Sequence, residues 1–228
     1  MRRLIFADVH ANEPALRAIL EDAKHWDEAV FLGDIVGWGP HPEQCAKLLR
    51  EIDPVRVLGN HDLSCCAERK DWHWDAWTYD RLTDETRKWI LDCPETITFS
   101  SGSEKIYATH KTKNNKNYLS PSISPSEMAN SFEESEASIL LCGHCHHLIE
   151  RVWNNKRYVC IRAVGQMRDG DPQTGYTIEE NGRLTHYRVP YDVDKVVYDL
   201  KSIGLDEDFR IRWSNFISTA YDPEWSRM

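Results

Sequence analysis

Short apolar runs alternate with amphipathic stretches along the first part of the chain. Leu4-Ile5-Phe6-Ala7 ends in Asp8-Val9-His10, and Ala29-Val30-Phe31-Leu32 ends in Gly33-Asp34. Between them, Glu13 to Lys24 places Ala15, Leu16, Ile19 and Leu20 at helical spacing, which predicts one apolar helix face. A second helical stretch turns Cys45, Leu48 and Leu49 inward. A third run, Val55-Arg56-Val57-Leu58, then ends in Gly59-Asn60-His61-Asp62. Strand, helix, strand, helix, strand predicts β-α-β units and a largely parallel sheet.

The pattern then changes. Ser64 to Cys93 reads as helical, and Thr96 to Phe99 and Lys105 to Ala108 read as a strand pair around Ser101-Gly102, ending at Thr109-His110. Lys111 to Pro125 reads as a polar loop and Ser126 to Glu134 as a short helix. Ile139-Leu140-Leu141-Cys142 is a buried strand that ends in Gly143-His144-Cys145-His146. Two hairpins are predicted to turn at Asn154-Asn155 and Asn181-Gly182, and the tail after Asp192 reads as helical and packed against the body or a partner.

Polar residues gather just past the carboxyl ends of these strands, the rim where open α/β sheets bind ligands. Asp8 with His10, and His144 with His146, are partial ligand sets for a divalent transition metal. One Asp-x-His is more often a helix cap beside a packed histidine. Asp8, His10, Asp34, Asn60, His110, His144 and His146 together fall at strand ends in five segments and converge on one rim. That many nitrogen and oxygen donors suit two ions. Asp34, the lone carboxylate of its segment, is the natural bridge. Gly33, Gly59 and Gly143 each precede a candidate ligand, where a missing Cβ lets the backbone approach closely.

Composition narrows the setting. The chain of 228 residues carries a net charge of −9, which disfavours nucleic acid and anionic membranes as partners. Its apolar runs are too short to span a bilayer. Its 7 cysteines are odd in number and form no regular framework, and no export signal precedes Asp8, so reduced thiols in a cytoplasm are expected. On length it reads as one domain over residues 1–228, with core motifs at 8–146.

The segments Asp8-Val9-His10, Gly33-Asp34, Gly59-Asn60-His61-Asp62, His110 and Gly143-His144-Cys145-His146 resemble, in order, the five motifs of the calcineurin-like metallophosphoesterase superfamily. Gly33 to Pro40 and Val164 to Pro172 are similar to its small prokaryotic, phosphodiesterase-like members. The resemblance implies a four-layer α/β/β/α sandwich with a dimetal site at the rim. It implies Asp8, His10, Asp34 and His146 around one ion, and Asp34, Asn60, His110 and His144 around the other. The ions would be manganese, iron, zinc, nickel or cobalt. It further implies that His61 contacts the phosphoryl oxygen or protonates the leaving group, that Asp62 orients His61, and that a metal-bridging hydroxide hydrolyses a small phosphate ester. A nuclease, or a protein-binding scaffold on the same fold, is the alternative.

Three places depart from the pattern. Lys111 and Lys113 stand where a compact turn is expected, Cys160 to Ala163 replaces an Asn-Pro-Gly-Ser turn, and Ile35-Val36-Gly37 offers no phosphate-binding arginine. Trp72, Trp74 and Trp77 offer a nucleobase platform, but Trp74 and Trp77, three apart, read in preference as one helix face packed against the sheet. Cys145, between two ligand histidines, points to the opposite face of its strand and is expected to be a buried, inert thiol.

Overall fold

In the computed structural model residues 1–70, 73–113 and 119–223 are described; Trp72 and part of the Lys111 to Pro125 loop lie outside them. Among the described residues the chain forms two five-stranded sheets. The first contains β1 (Arg2–Phe6), β2 (Glu28–Phe31), β3 (Val55–Arg56), β9 (Thr174–Glu180) and β10 (Arg183–Val189), in the order β10-β9-β1-β2-β3. The second contains β4 (Thr96–Ser101), β5 (Glu104–Thr109), β6 (Ile139–Cys142), β7 (Ile149–Trp153) and β8 (Lys156–Cys160), in the order β4-β5-β6-β8-β7.

The largely parallel sheet expected from the β-α rhythm is therefore only half of the answer. β1, β2 and β3 are parallel, as are β5, β6 and β8, but β9, β10, β4 and β7 join antiparallel. Within the hairpins β4-β5, β7-β8 and β9-β10 the reason is local: tight turns at Gly102, Asn154-Asn155 and Asn181-Gly182 put these residues at positive φ and reverse the chain within a few residues, which a parallel crossover cannot do. β9 itself joins β1 by long-range pairing.

Strand alternation builds the layers. Leu4, Phe6 and Phe31 pack with Leu16, Ile19, Cys45 and Leu49 from α1 (Glu13–Ala23) and α2 (Pro42–Ile52). Their neighbours Ile5, Ala7, Val30 and Leu32 turn the other way, onto Ile106, Ala108, Ile139, Leu141 and Val159 of the second sheet. Leu140, Cys142 and Tyr158 cover that sheet's outer face with Met128 and Phe132, on and just after α6 (Pro125–Ser131). Helix, sheet, sheet, helix is the expected four-layer sandwich. The predicted helix over Ser126 to Glu134 is shorter than expected, capped by Ser124 and Glu127 in a reciprocal capping box.

The helical stretch after His61 breaks into α3 (Asn60–Cys66), α4 (His73–Tyr79) and α5 (Asp84–Leu91), and the tail forms α7 (Val193–Ser202) and α8 (Glu207–Thr219). Trp74 and Trp77 do pack, as expected, but against the tail instead of a sheet: with Leu200, Trp213 and Phe216 they form a separate aromatic core. Among the described residues no helix is long and apolar enough to cross a membrane.

Leu141 sits fully buried between the sheets, one residue from the strand end that carries Gly143. Leu141→Ala should lower the free energy of unfolding by about 3 kcal/mol, the usual cost of such a cavity. A urea unfolding curve checks this; a midpoint within error of wild type would contradict the two-sheet core.

Candidate metal centre

The parallel strands of both sheets deliver their carboxyl ends to one rim, which is stitched across the sandwich. Ala7 pairs with Ala163, and the Val164 and Gly165 amides donate to the Ala7 and Asp8 carbonyls at 2.9 and 2.8 Å. Cys160 to Ala163, although unlike the expected turn, thus still leads into the segment that braces the Asp8 backbone. Arg162 turns away to pair with Asp169 at 3.0 Å.

All seven candidate ligands meet at this rim. Asp8, His10 and His146 form one group of converging donor atoms, and Asp34, His110 and His144 a second. His10 Nε2 lies 3.1 Å from His146 Nε2, and His146 Nε2 lies 3.4 Å from Asp8 Oδ1. Asp34 Oδ2 stands between the groups, 3.2 Å from His110 Nε2 and 3.8 Å from His10 Nε2. Asn60 joins the second group through Oδ1, 2.9 Å from His110 Nε2.

Backbone conformation sets these directions. Asp8, His10, Asp34, His144 and His146 all adopt positive φ, between 47° and 71°. Left-handed non-glycine residues each cost on the order of 1–3 kcal/mol and persist where the surroundings over-determine them. Gly59 makes room for the arrangement: a Cβ there would sit 2.1 Å from both the Asp34 amide and its Oδ1.

Two imidazoles have fixed tautomers. His110 Nδ1–H donates to the Leu32 carbonyl at 2.7 Å, and His146 Nδ1–H donates to the Gln166 carbonyl at 2.6 Å. A carbonyl oxygen only accepts, so each ring turns its Nε2 into the site. Such outer hydrogen bonds are how proteins orient metal-binding histidines. Sequence reasoning missed both carbonyls, although Gln166 lies within the stretch already noted as similar to small prokaryotic members. A backbone acceptor leaves no mark on residue identity.

The electrostatics fit a cation. Burial lowers the pKa of His10 and His146 well below the ordinary value and that of His144 to about 4, leaving these rings neutral. Burial opposes ionisation of Asp34, yet the charges of His110 and His61 hold its carboxyl well below the usual range. Asp34 Oδ2 is buried and, among the described residues, makes no well-directed hydrogen bond. A buried carboxylate oxygen aimed between two groups of imidazole and carboxylate donors is a poor structural polar group and a good bridging ligand.

His61 and Asp62 part company. The expectation that Asp62 orients the His61 ring is not met. Asp62 Oδ2 accepts the Asp34 and Gly59 amides at 2.9 and 3.2 Å, and Oδ1 accepts the Ile35 and Val36 amides at 2.8 and 3.3 Å. Its carboxylate is spent on backbone, tying the loop after β2 to the start of α3. Burial, with the Asp34 charge beside it, still pushes its carboxyl up to about 7. The His61 ring instead meets Trp38, whose indole Nε1–H donates to His61 Nε2 at 3.1 Å.

Beside Asn60 and His110 lies a cavity of about 240 Å³, rimmed by Lys111, Lys113, Glu95 and Glu133, with Leu63 and Tyr107 on its wall. Cys145 is buried against Cys160 with Sγ atoms 2.6 Å apart, and burial pushes both thiols well up, consistent with inert packing.

A sequence model of the calcineurin-like phosphoesterase superfamily domain matches residues 1–183. An uncharacterized protein of Methanocaldococcus jannaschii is 27% identical, over 89% of this chain and 93% of its own length. The crystal structure of a metallophosphoesterase from Sphaerobacter thermophilus superposes with a TM-score of 0.77 at 28% identity, covering 94% of this chain and 98% of that one. A hypothetical protein from Pyrococcus horikoshii shares the fold at a TM-score of 0.81 and 17% identity, over 95% of this chain and 97% of its own. With motifs, sandwich and rim in agreement, the chain belongs to the calcineurin-like phosphoesterase superfamily.

Proposed function

We propose that this protein is a dimetal-dependent phosphoesterase that hydrolyses a small phosphate ester, as a phosphodiesterase or phosphomonoesterase. The observation that carries this reading is the buried Asp34 carboxylate between two converging donor groups. Support also comes from the Sphaerobacter thermophilus protein, which is described as a metallophosphoesterase.

Asp8, His10, Asp34 and His146 would hold one ion, and Asp34, Asn60, His110 and His144 the other. Bound there, two divalent ions would supply an activated water at neutral pH and neutralise charge on the phosphoryl oxygens. Donors of imidazole, carboxylate and amide type suit manganese, iron, zinc, nickel or cobalt. His61 lies beside the first group, its ring centroid 5.1 Å from that of His10, and belongs to neither group. It would contact the phosphoryl oxygen of the ester through its ring N–H. Asp62 would act on the site through the backbone it grips. The cavity lined by Lys111 and Lys113 would receive the rest of the ester, its paired charges favouring a polar leaving group over a long polyanion such as nucleic acid.

Metal analysis of the purified protein, with assays on a nitrophenyl phosphate diester and monoester in the presence of manganese, tests the reading. Two ions per chain and turnover of at least one ester are expected, with activity abolished by chelation and restored by metal. Two bound ions with neither ester hydrolysed would point away from a general phosphoesterase and towards a scaffold. His61→Ala should lower turnover by roughly 10²- to 10⁴-fold while keeping both ions, the usual scale for a positioned proton donor. Unchanged turnover would remove His61 from the reaction.

Metal loading should also release protons. Burial works against a charged His110, but the neighbouring Asp34 raises its pKa to about 9, so at pH 7 the metal-free ring carries a proton that a metal must displace. Apparent affinity should therefore rise with pH up to about 9 and then level off. Calorimetric titrations at pH 7 in buffers of different ionisation heat should give different apparent enthalpies. Identical heats would show that no proton leaves.

A further inference from the structure

We propose that Trp38 is the positioning residue for His61, and that the two C-terminal helices beyond the family-matched segment hold it in place. The inference rests on the phosphoesterase reading, in which His61 acts on the ester.

Trp38 carries a φ of 68°, a conformation that a bulky side chain adopts only where its surroundings enforce it. Those surroundings are aromatic. Its ring stacks at 5.1 Å on Trp213 and 6.0 Å on Phe209, both from α8, and at 6.2 Å on Trp74 of α4. Offset stacks of this kind add stabilisation beyond the area they bury. The loop that bears Trp38 is pinned at its far end as well. His41 Nε2 lies 2.7 Å from Asp199 Oδ2 on α7, and the His41 amide donates to the Ala11 carbonyl at 3.0 Å.

From that seat the indole Nε1–H reaches His61 Nε2. An indole N–H only donates, so Nε2 presents its lone pair and the neutral ring carries its proton on Nδ1. His61 Nδ1 is buried with no hydrogen-bond partner among the described residues. Gly37 lies against the same ring, and a Cβ there would come within 3.1 Å of Nδ1. With Asp62 committed to four amides, Trp38 is the side chain that fixes which way this imidazole faces. The family match ends at residue 183, whereas α7 and α8 begin at Val193 and Glu207. Phe209, Trp213 and Asp199, which hold Trp38 and His41, thus lie beyond the matched segment, and Trp74 lies within it.

Trp38→Phe keeps the stack and removes only the donor. It should lower kcat by on the order of 10- to 100-fold, the scale seen when an orienting hydrogen bond is lost, with KM and metal content unchanged. In a His61→Ala background the same substitution should cost nothing further, because residues that act as a unit are not additive. Trp213→Leu should lower kcat in the wild-type background alone. Long-range ¹H–¹⁵N spectra of the metal-free protein give a second readout: the His61 Nε2 resonance should lose its acceptor signature in Trp38→Phe. An unchanged kcat and ring spectrum, or an equal loss of kcat in both backgrounds, would overturn the proposal. Should wild type hydrolyse neither ester, the phosphoesterase reading fails, and the ring spectrum alone upholds or removes the Trp38 contact.

Discussion

Two carboxylates, Asp8 and Asp34, are fully buried side by side with a ring of imidazoles, and the rest of the rim is arranged around that fact. Taking a carboxylate out of water costs several kcal/mol unless opposite charge or hydrogen bonds replace the solvent. Backbone supplies part of the replacement: the His61 amide donates to Asp34 Oδ1 at 2.8 Å, and the His144 amide donates to Asp8 Oδ2 at 3.0 Å. The remainder comes from His110, whose charge sits against Asp34 in the metal-free chain. The left-handed residues, the glycines and the carbonyls of Leu32 and Gln166 all serve to aim donors at this one buried concentration of charge.

The same demand explains why the site spans both sheets. Ligands from β1, β2 and β3 meet ligands from β5 and β6 only because the parallel strands of the two sheets end at a common rim, joined by the Ala7 to Ala163 bridge. The apolar layer beneath, from Ile5 and Val30 to Leu141 and Val159, fixes the spacing of the sheets and so the distance across the site.

Much of this was legible in the residues. The apolar runs before Asp8, Asp34, His110 and His144 became strands with those ligands just past their carboxyl ends, because period-two burial constrains the local fold strongly, whereas the third run keeps only Val55 and Arg56 as strand and Asn60 opens α3. The antiparallel halves were less legible, since pairing is decided by partners far away in the chain: β1 lies beside β9, which begins at Thr174. The partners of His61 and Asp62 were misjudged for a similar reason. Adjacency suggested a carboxylate–imidazole pair, yet a helix start points consecutive side chains in different directions, so Asp62 reached the backbone of the neighbouring loop and His61 reached Trp38. Trp74 and Trp77 read correctly as packing residues but not as to partner: they meet α7 and α8, from a tail whose pattern says that it packs without saying on what.

The position of β1 has a consequence for how the protein is made. As the chain leaves the ribosome, β1 can gain β2 and β3 early, but its other edge stays open until β9 has been synthesised. An open apolar strand edge in a nascent chain is an invitation to pair with the wrong neighbour. The carbonyl of Gln166 that fixes His146 also arrives late, just before β9. The same short stretch of sequence therefore closes the sheet and completes the first group of donors, so that this site cannot be complete before β9 has been made.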